Sequence, residues 1–130
     1  MDKWKVIYYI SSSGNNPVSD FLDTLESVTQ SKLLRILHNI TEYGLQSVIP
    51  HIKKLPGTPF WEIRVLGKDN VRIIYVIPFQ LQILVLHGFV KKSQKTPLKE
   101  LETASKRYRE FLIPGKGGLT GYILKDIIKT

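Results

Sequence analysis

Residues 60–90 read FWEIRVLGKDNVRIIYVIPFQLQILVLHGFV, and this stretch decides the fold. Its apolar residues recur with a period of two, the spacing of a half-buried strand. In Phe60–Leu66, Trp61, Ile63 and Val65 share one face, while Glu62 and Arg64 share the other. Gly67-Lys68-Asp69-Asn70 is turn chemistry between two such runs and predicts a β-hairpin. Val71–Pro78 and Leu81–Val90 continue as strands, with a bend at Phe79-Gln80. Connections this short favour antiparallel pairing, because a parallel crossover needs about a dozen residues or more.

Working outward, His51–Leu55 is a short strand closed by Pro56-Gly57-Thr58-Pro59, and Trp4–Ile10 is a β-type run that ends in Ser11-Ser12-Ser13-Gly14-Asn15. Asn16-Pro17 has the form of a helix N-cap followed by proline in the first turn. Val18, Phe21, Leu22 and Leu25 then repeat at helical spacing. Thr29 or Ser31 is the expected cap of a second helix. Its apolar stripe is Leu33, Leu34, Ile36, Leu37, Ile40 and Tyr43, and Gly44 is its C-cap. Thr96-Pro97 repeats the cap-plus-proline pattern before a third helix, with Leu98, Leu101, Ser105, Tyr108 and Leu112 as the expected inner face. Pro114-Gly115-Lys116-Gly117-Gly118 breaks that helix. Residues 114–130 then form a tail, or a short docking helix carrying Ile123, Leu124, Ile127 and Ile128. The expected architecture is α+β, with one domain over residues 1–113. A curved, mostly antiparallel sheet of four to five strands would carry an N-terminal helical hairpin on one face and a C-terminal helix.

A chain of 130 residues, 42% hydrophobic and 23% charged, suits one globular domain and excludes wholesale disorder. No apolar run reaches the roughly 18 residues of a membrane span. Met1-Asp2-Lys3-Trp4-Lys5 leads into an alternating run rather than a signal-peptide core, so a soluble cytoplasmic protein with no membrane partner is expected. The absence of Cys removes disulfides, thiolate metal sites and cysteine nucleophiles. His38, His51 and His87 lack the close spacing of a metal-binding pair. There is no Gly-rich phosphate loop and no nucleophile elbow around any Ser. No metal or cofactor is expected.

Charge is distributed unevenly. The formal net charge is +8; residues 1–65 hold seven basic and six acidic side chains, and residues 66–130 hold twelve and five. A surplus confined to one half suggests a patch for nucleic-acid phosphate, although surplus lysine also serves solubility. The candidate patch begins with Arg64 and Arg72, near neighbours across the hairpin. Lys91, Lys92 and Lys95 follow the last strand, and Lys53 and Lys54 lie in the first strand of the region. Each cation alone reads as a solvated or salt-bridged residue, and Arg64 has Glu62 and Asp69 within reach. Their convergence, with too few acids to pair them all, is the functional signal. Trp61 and Tyr75 read as core, and His87 as a hydrogen-bonded core residue rather than an acid or base. Phe89 either stacks on a base or packs on the sheet.

At Phe60–Val76 and His87–Ala104 the sequence resembles the phage-derived, HigB branch of the RelE/ParE toxin superfamily. The residues that carry the resemblance are Trp61-Glu62-Ile63-Arg64, Val71-Arg72-Ile73-Ile74-Tyr75 and the run from Leu86 to Pro97, LHGFVKKSQKTP, followed by a helix. The order strand, two helices, sheet, helix agrees over about residues 3–112. The resemblance implies a type II toxin–antitoxin toxin: a metal-independent, ribosome-dependent mRNA endoribonuclease in which the RNA 2′-hydroxyl attacks the adjacent phosphate. It also implies a cognate antitoxin, a small helix-turn-helix protein. Carried over by motif, Arg72 corresponds to the sheet arginine of the active site, Arg64 to a basic residue beside the phosphate, and Lys91 and Lys92 to the basic pair at the end of the last strand. Lys53, Lys54, Lys95 and Phe89 are the accompanying candidates for RNA contact. Relatives often add a Tyr or His near the C-terminal end for proton transfer; Tyr108 and Tyr122 are the candidates here, without motif support. The superfamily also contains gyrase inhibitors, and a degenerate toxin would keep the patch as a non-catalytic binding module.

Overall fold

The computed structural model describes residues 3–67, 70–92 and 95–113. Its strands are β1 (Lys5–Tyr8), β2 (Ile52–Lys54), β3 (Trp61–Val65), β4 (Val71–Val76) and β5 (Gln82–Val90). They form one open sheet in the order β1-β5-β4-β3-β2. β1 joins β5 in parallel, and the other pairs are antiparallel. The helices are α1 (Pro17–Asp23), α2 (Ser27–Tyr43) and α3 (Leu98–Leu112), with a 3₁₀ segment at Leu45–His51 kinked at Val48. This is the expected α+β arrangement of a RelE-like fold. Residues 114–130, where the tail was expected, lie outside the described residues.

Strand alternation sends side chains to two cores. On one face Ile63, Val65, Val71, Ile73, Tyr75, Ile83 and Val85 pack under α1 and α2 through Val18, Leu22, Leu33, Leu37 and Ile40. On the other, Ile74, Val76, Leu84 and Leu86 pack with Ile7, Phe60 and Phe89 against Ala104 and Phe111 of α3.

The helix ends divide into those the sequence specifies and those it does not. Asn16 caps α1 by accepting the Ser19 N–H at 3.0 Å, with Pro17 in the first turn. Gly44 closes α2 at φ 84°, donating its N–H to Ile40 O at 2.9 Å, in a conformation that glycine adopts freely. α2 begins at Ser27, ahead of Thr29 and Ser31, and has no side-chain cap. Thr29 is buried, and Gln30 instead ties the α1–α2 corner by donating to Leu22 O at 2.8 Å. α3 also departs from expectation. Its inner face is Leu101, Ala104, Tyr108 and Phe111, whereas Leu98 is 69% exposed and Leu112 is exposed as well. Phe111 supplies the bulk that fills the second core, and this turns the helix away from the Leu98–Leu112 phase.

A register shift fixes α3 on the sheet. Ile74 pairs with His87 but Tyr75 pairs with Val85, so Leu86 is the extra residue of a β-bulge. Arg107 Nη1 donates to Leu86 O at 2.9 Å and lies 3.3 Å from His87 Nδ1. Since arginine has no acceptor, Nδ1 accepts, and His87 Nε2–H donates to Glu100 Oε1 at 3.0 Å. The Arg107 guanidinium also stacks 5.4 Å from the Tyr9 ring centroid, and Tyr9 donates its hydroxyl to Glu110. His87 is therefore the hydrogen-bonded core residue expected, with both ring nitrogens engaged.

Gly88 faces the opposite core, paired with Ile73. A Cβ there would sit 2.6 Å from Phe21 Cε2 and 2.9 Å from Ile73 Cδ1, so α1 lies flat on β5 only because residue 88 is glycine. Gly88→Ala should destabilise the fold by about 1–3 kcal/mol through overpacking, read as a lower urea midpoint at unchanged slope. A second prediction concerns pH. Burial, with the Arg107 charge adding to it, holds the His87 pKa below its ordinary 6.5 although Glu100 opposes this. The unfolded chain therefore binds a proton more readily than the folded one, and stability falls as pH drops below 6.5. Chemical denaturation across this range should show that loss, and His87→Gln should flatten it.

Candidate functional site

The cations converge on the sheet face that carries α3, beyond the helix, and pairing geometry selects them. Arg64 on β3 lies directly opposite Arg72 on β4, which lies opposite Phe89 on β5. Lys53 on β2 lies opposite Glu62 on β3. One residue past β5, Lys91 donates its backbone N–H to Asn70 O at 2.7 Å, which extends the ladder by one rung. Alternation then returns the Lys91 side chain to the face of Phe89 and Arg72. Lys53, Arg64, Arg72 and Lys91 are close enough for the other three to act on the charge of Lys91.

Glu62 sits at the centre. Its side chain is 1% exposed, and Oε1 lies 3.4 Å from Arg72 Nε and 4.0 Å from Lys91 Nζ. Thr96 donates its hydroxyl to Glu62 Oε2 at 2.7 Å. The hydroxyl expected to cap α3 is thus directed at β3, and α3 starts from Pro97 without a side-chain cap. Arg72 is itself 6% exposed and donates Nη1 to Val71 O at 3.1 Å. Among the described residues, Arg64 Nε and Arg72 Nε are buried donors without a hydrogen-bond partner. Such orphaned donors are uncommon and are the kind of group that a ligand satisfies.

Burial sets the electrostatics. Desolvation lowers the Lys91 pKa first; Glu62 pulls it back up, and Arg72, Lys53 and Arg64 push it further down. Desolvation likewise lowers Arg72, with Glu62 opposing and Arg64 adding to the effect. The result is an ammonium held more loosely than usual beside two guanidiniums. That set can neutralise an anionic centre and, through the amine, exchange a proton with it.

Of the residues singled out in the sequence, Arg64, Arg72, Lys91 and Lys53 are brought together. Lys54 is not. It pairs with Trp61, which points to the α1–α2 core, and its ammonium is bound by Thr58 O. Adjacent strand residues face opposite ways, so Lys53 and Lys54 were never able to share the site. Lys92 is exposed, out of phase with Lys91, and has no ion-pair partner among the described residues. Lys95 is exposed just before Thr96. Phe89 is buried and stacks on His87, with ring centroids 5.6 Å apart. Tyr75 is fully buried, and burial raises its hydroxyl pKa; Trp61 packs at the edge of the first core. Tyr108 packs edge-on against Phe60 at 6.1 Å, and Tyr122 lies outside the described residues. Sequence reading missed Glu62 and Thr96: Glu62 looked like one polar residue on a solvated strand face, and Thr96 like a cap. Among the described residues, no group of three or more His, Asp or Glu side chains is gathered as a metal site. No helix among them is long and apolar enough to cross a membrane.

An open five-stranded sheet with a helical hairpin on one face, and a cationic cluster beside a C-terminal helix on the other, defines a RelE-like α+β protein. The chain belongs to the phage derived protein Gp49-like family (DUF891), whose model matches residues 20–109. This is a RelE/HigB-like toxin family, related to the toxins of toxin–antitoxin systems. No curated protein matches the chain.

Proposed function

We propose that this protein is the toxin of a type II toxin–antitoxin pair, of the HigB type, and that it cuts mRNA on the ribosome in the cytoplasm without a metal ion. The observation that carries this reading is the convergence of Lys53, Arg64, Arg72 and Lys91 on one sheet face around a single carboxylate. In the proposed reaction Arg64 and Arg72 hold the non-bridging oxygens of the scissile phosphate, the bidentate task to which guanidinium is suited. The neutral fraction of Lys91 takes the 2′-hydroxyl proton, and the 2′ oxygen forms a bond to phosphorus. The bond to the 5′ oxygen then breaks and that oxygen takes a proton from water, leaving a cyclic phosphate and a 5′-hydroxyl. The guanidiniums stabilise the extra charge of the phosphorane-like transition state without having to reorganise. The partner is a cognate antitoxin, a small helix-turn-helix protein.

Arg72 neutralises the buried Glu62, and removing one partner of a buried pair costs about 3–5 kcal/mol, enough to unfold a small domain. Arg64 has no carboxylate partner among the described residues and is the cleaner test. Arg64→Ala should keep its melting temperature and lose about 10²–10³ in cleavage rate, as for other single charge donors at a transition state. The assay adds purified protein to translating ribosomes and maps mRNA ends. Wild-type protein that produces no new codon-positioned ends contradicts the enzyme and favours a binding module. DNA damage on expression, without a translation block, points to gyrase.

Face assignment gives a second prediction. Lys53→Ala should weaken RNA binding and lower the slope of log affinity against log salt by about one, whereas Lys54→Ala should change neither. A filter-binding titration at several salt concentrations distinguishes them.

A further inference from the structure

We propose that Glu62 is a positioning residue, held in place by Thr96, that gathers Arg72 and Lys91 onto one phosphate; the inference rests on the ribonuclease reading above. With its side chain 1% exposed, the Glu62 carboxylate is in no position to meet a substrate hydroxyl, so it is not the base. Its surroundings define a different task. A carboxylate removed from water is costly unless it is paired and hydrogen-bonded, and here each oxygen has its own work. Oε2 takes the Thr96 hydroxyl at 2.7 Å, which leaves Oε1 turned toward Arg72 and Lys91.

The distances on Oε1 are 3.4 Å to Arg72 Nε and 4.0 Å to Lys91 Nζ. Both are longer than a charge-assisted hydrogen bond. The carboxylate therefore attracts the two cations without consuming their donors, and Arg72 Nε, though ion-paired, makes no hydrogen bond among the described residues. Four like charges left alone would turn apart toward solvent. One buried negative charge beneath them keeps them convergent and leaves the face strongly positive. Thr96 completes the arrangement from outside β3. A threonine at the head of a helix ordinarily caps it, yet α3 has no side-chain cap and the hydroxyl is given to Glu62. The segment entering α3 thereby fixes the geometry of a site built on strands.

Two effects of removing the Glu62 charge follow, in opposite directions. The face becomes more positive, so RNA binds more tightly, while the cations lose their common aim and turnover falls. Lys91 is faced by Glu62, Arg72, Lys53 and Arg64, and of these only Glu62 favours its proton. Without it, the limb of the pH–rate profile set by Lys91 moves to lower pH.

The test compares wild type with Glu62→Gln, Thr96→Val and Thr96→Ser. Cleavage is measured on programmed ribosomes across pH, affinity with a 2′-O-methyl RNA oligonucleotide that cannot be cut, and folding by thermal melts. Glu62→Gln should bind the oligonucleotide more tightly, turn over more slowly and show its limb at lower pH. Thr96→Val should lose about tenfold in kcat by misalignment, and Thr96→Ser should recover most of it. A Glu62→Gln protein that is folded by its thermal melt but has an unmoved limb, or whose affinity and kcat fall together, overturns the proposal. So does a Thr96→Val protein that cuts like wild type, which decides the matter where Glu62→Gln does not fold. If wild type itself does not cut, the ribonuclease reading fails. The oligonucleotide arm then decides the positioning role alone, against it if Glu62→Gln gains no affinity.

Discussion

A carboxylate shut away from water beneath a group of cations is the constraint on which this molecule turns. Like charges about 4 Å apart repel by about 4 kcal/mol per pair at an effective dielectric near 20. Strand register places Lys53, Arg64 and Arg72 on one face, and Glu62 Oε1 draws Arg72 and Lys91 together there. The balance is deliberately incomplete. One negative charge offsets part of the repulsion and leaves buried Nε donors on both arginines unsatisfied. A site with full pairing would be stable and inert; one with no carboxylate would spread into solvent.

The fold supplies this arrangement with little machinery. α1 and α2 pack on one face of the sheet, so apolar side chains fill the odd register of β3 and β4; on the even register Glu62, Arg64 and Arg72 carry charge, while Ile74 and Val76 join the second core. α3 packs on the other face over β5 and β4, through Leu84, Leu86, Ile74 and Val76, and the charged cluster lies beyond it, on β2, β3, the start of β4 and the end of β5. The bulge at Leu86 holds the helix there. It turns His87 toward Glu100 and frees a carbonyl for Arg107, so α3 is bound by polar contacts on one side and by Phe111 on the other. Thr96, at the junction of β5 and α3, links this clasp to the charged cluster.

Much of this was written in the sequence in a form that alternation decodes. The hairpin of Trp61–Val65 with Val71–Val76, the opposition of Arg64 and Arg72, the Asn16-Pro17 helix start and the Gly44 stop all follow from local chemistry. Alternation also separates Lys53 from Lys54 and Lys91 from Lys92, because neighbours on an extended chain face opposite ways. Treating each pair as a unit concealed that. Other features depend on contacts that no local pattern encodes. The parallel pairing of β1 with β5 joins residues 77 positions apart, and the bulge at Leu86 and the rotation of α3 onto Phe111 are set by packing between elements rather than by any local pattern. Glu62 was legible as a polar strand residue but not as a buried one, since it is met by cations from two other segments and by the Thr96 hydroxyl.

The central claim is that a single RNA phosphate is met by side chains from β3, β4 and the end of β5. Side-chain NMR of the arginine Nε and lysine Nζ groups, recorded while a short uncleavable RNA is added, tests it most directly. The account predicts that the resonances of Arg64, Arg72 and Lys91 move together with one binding curve, while those of Lys32 and Arg35 on α2 stay still. Shifts confined to α2, or three separate curves for the three cations, would contradict it.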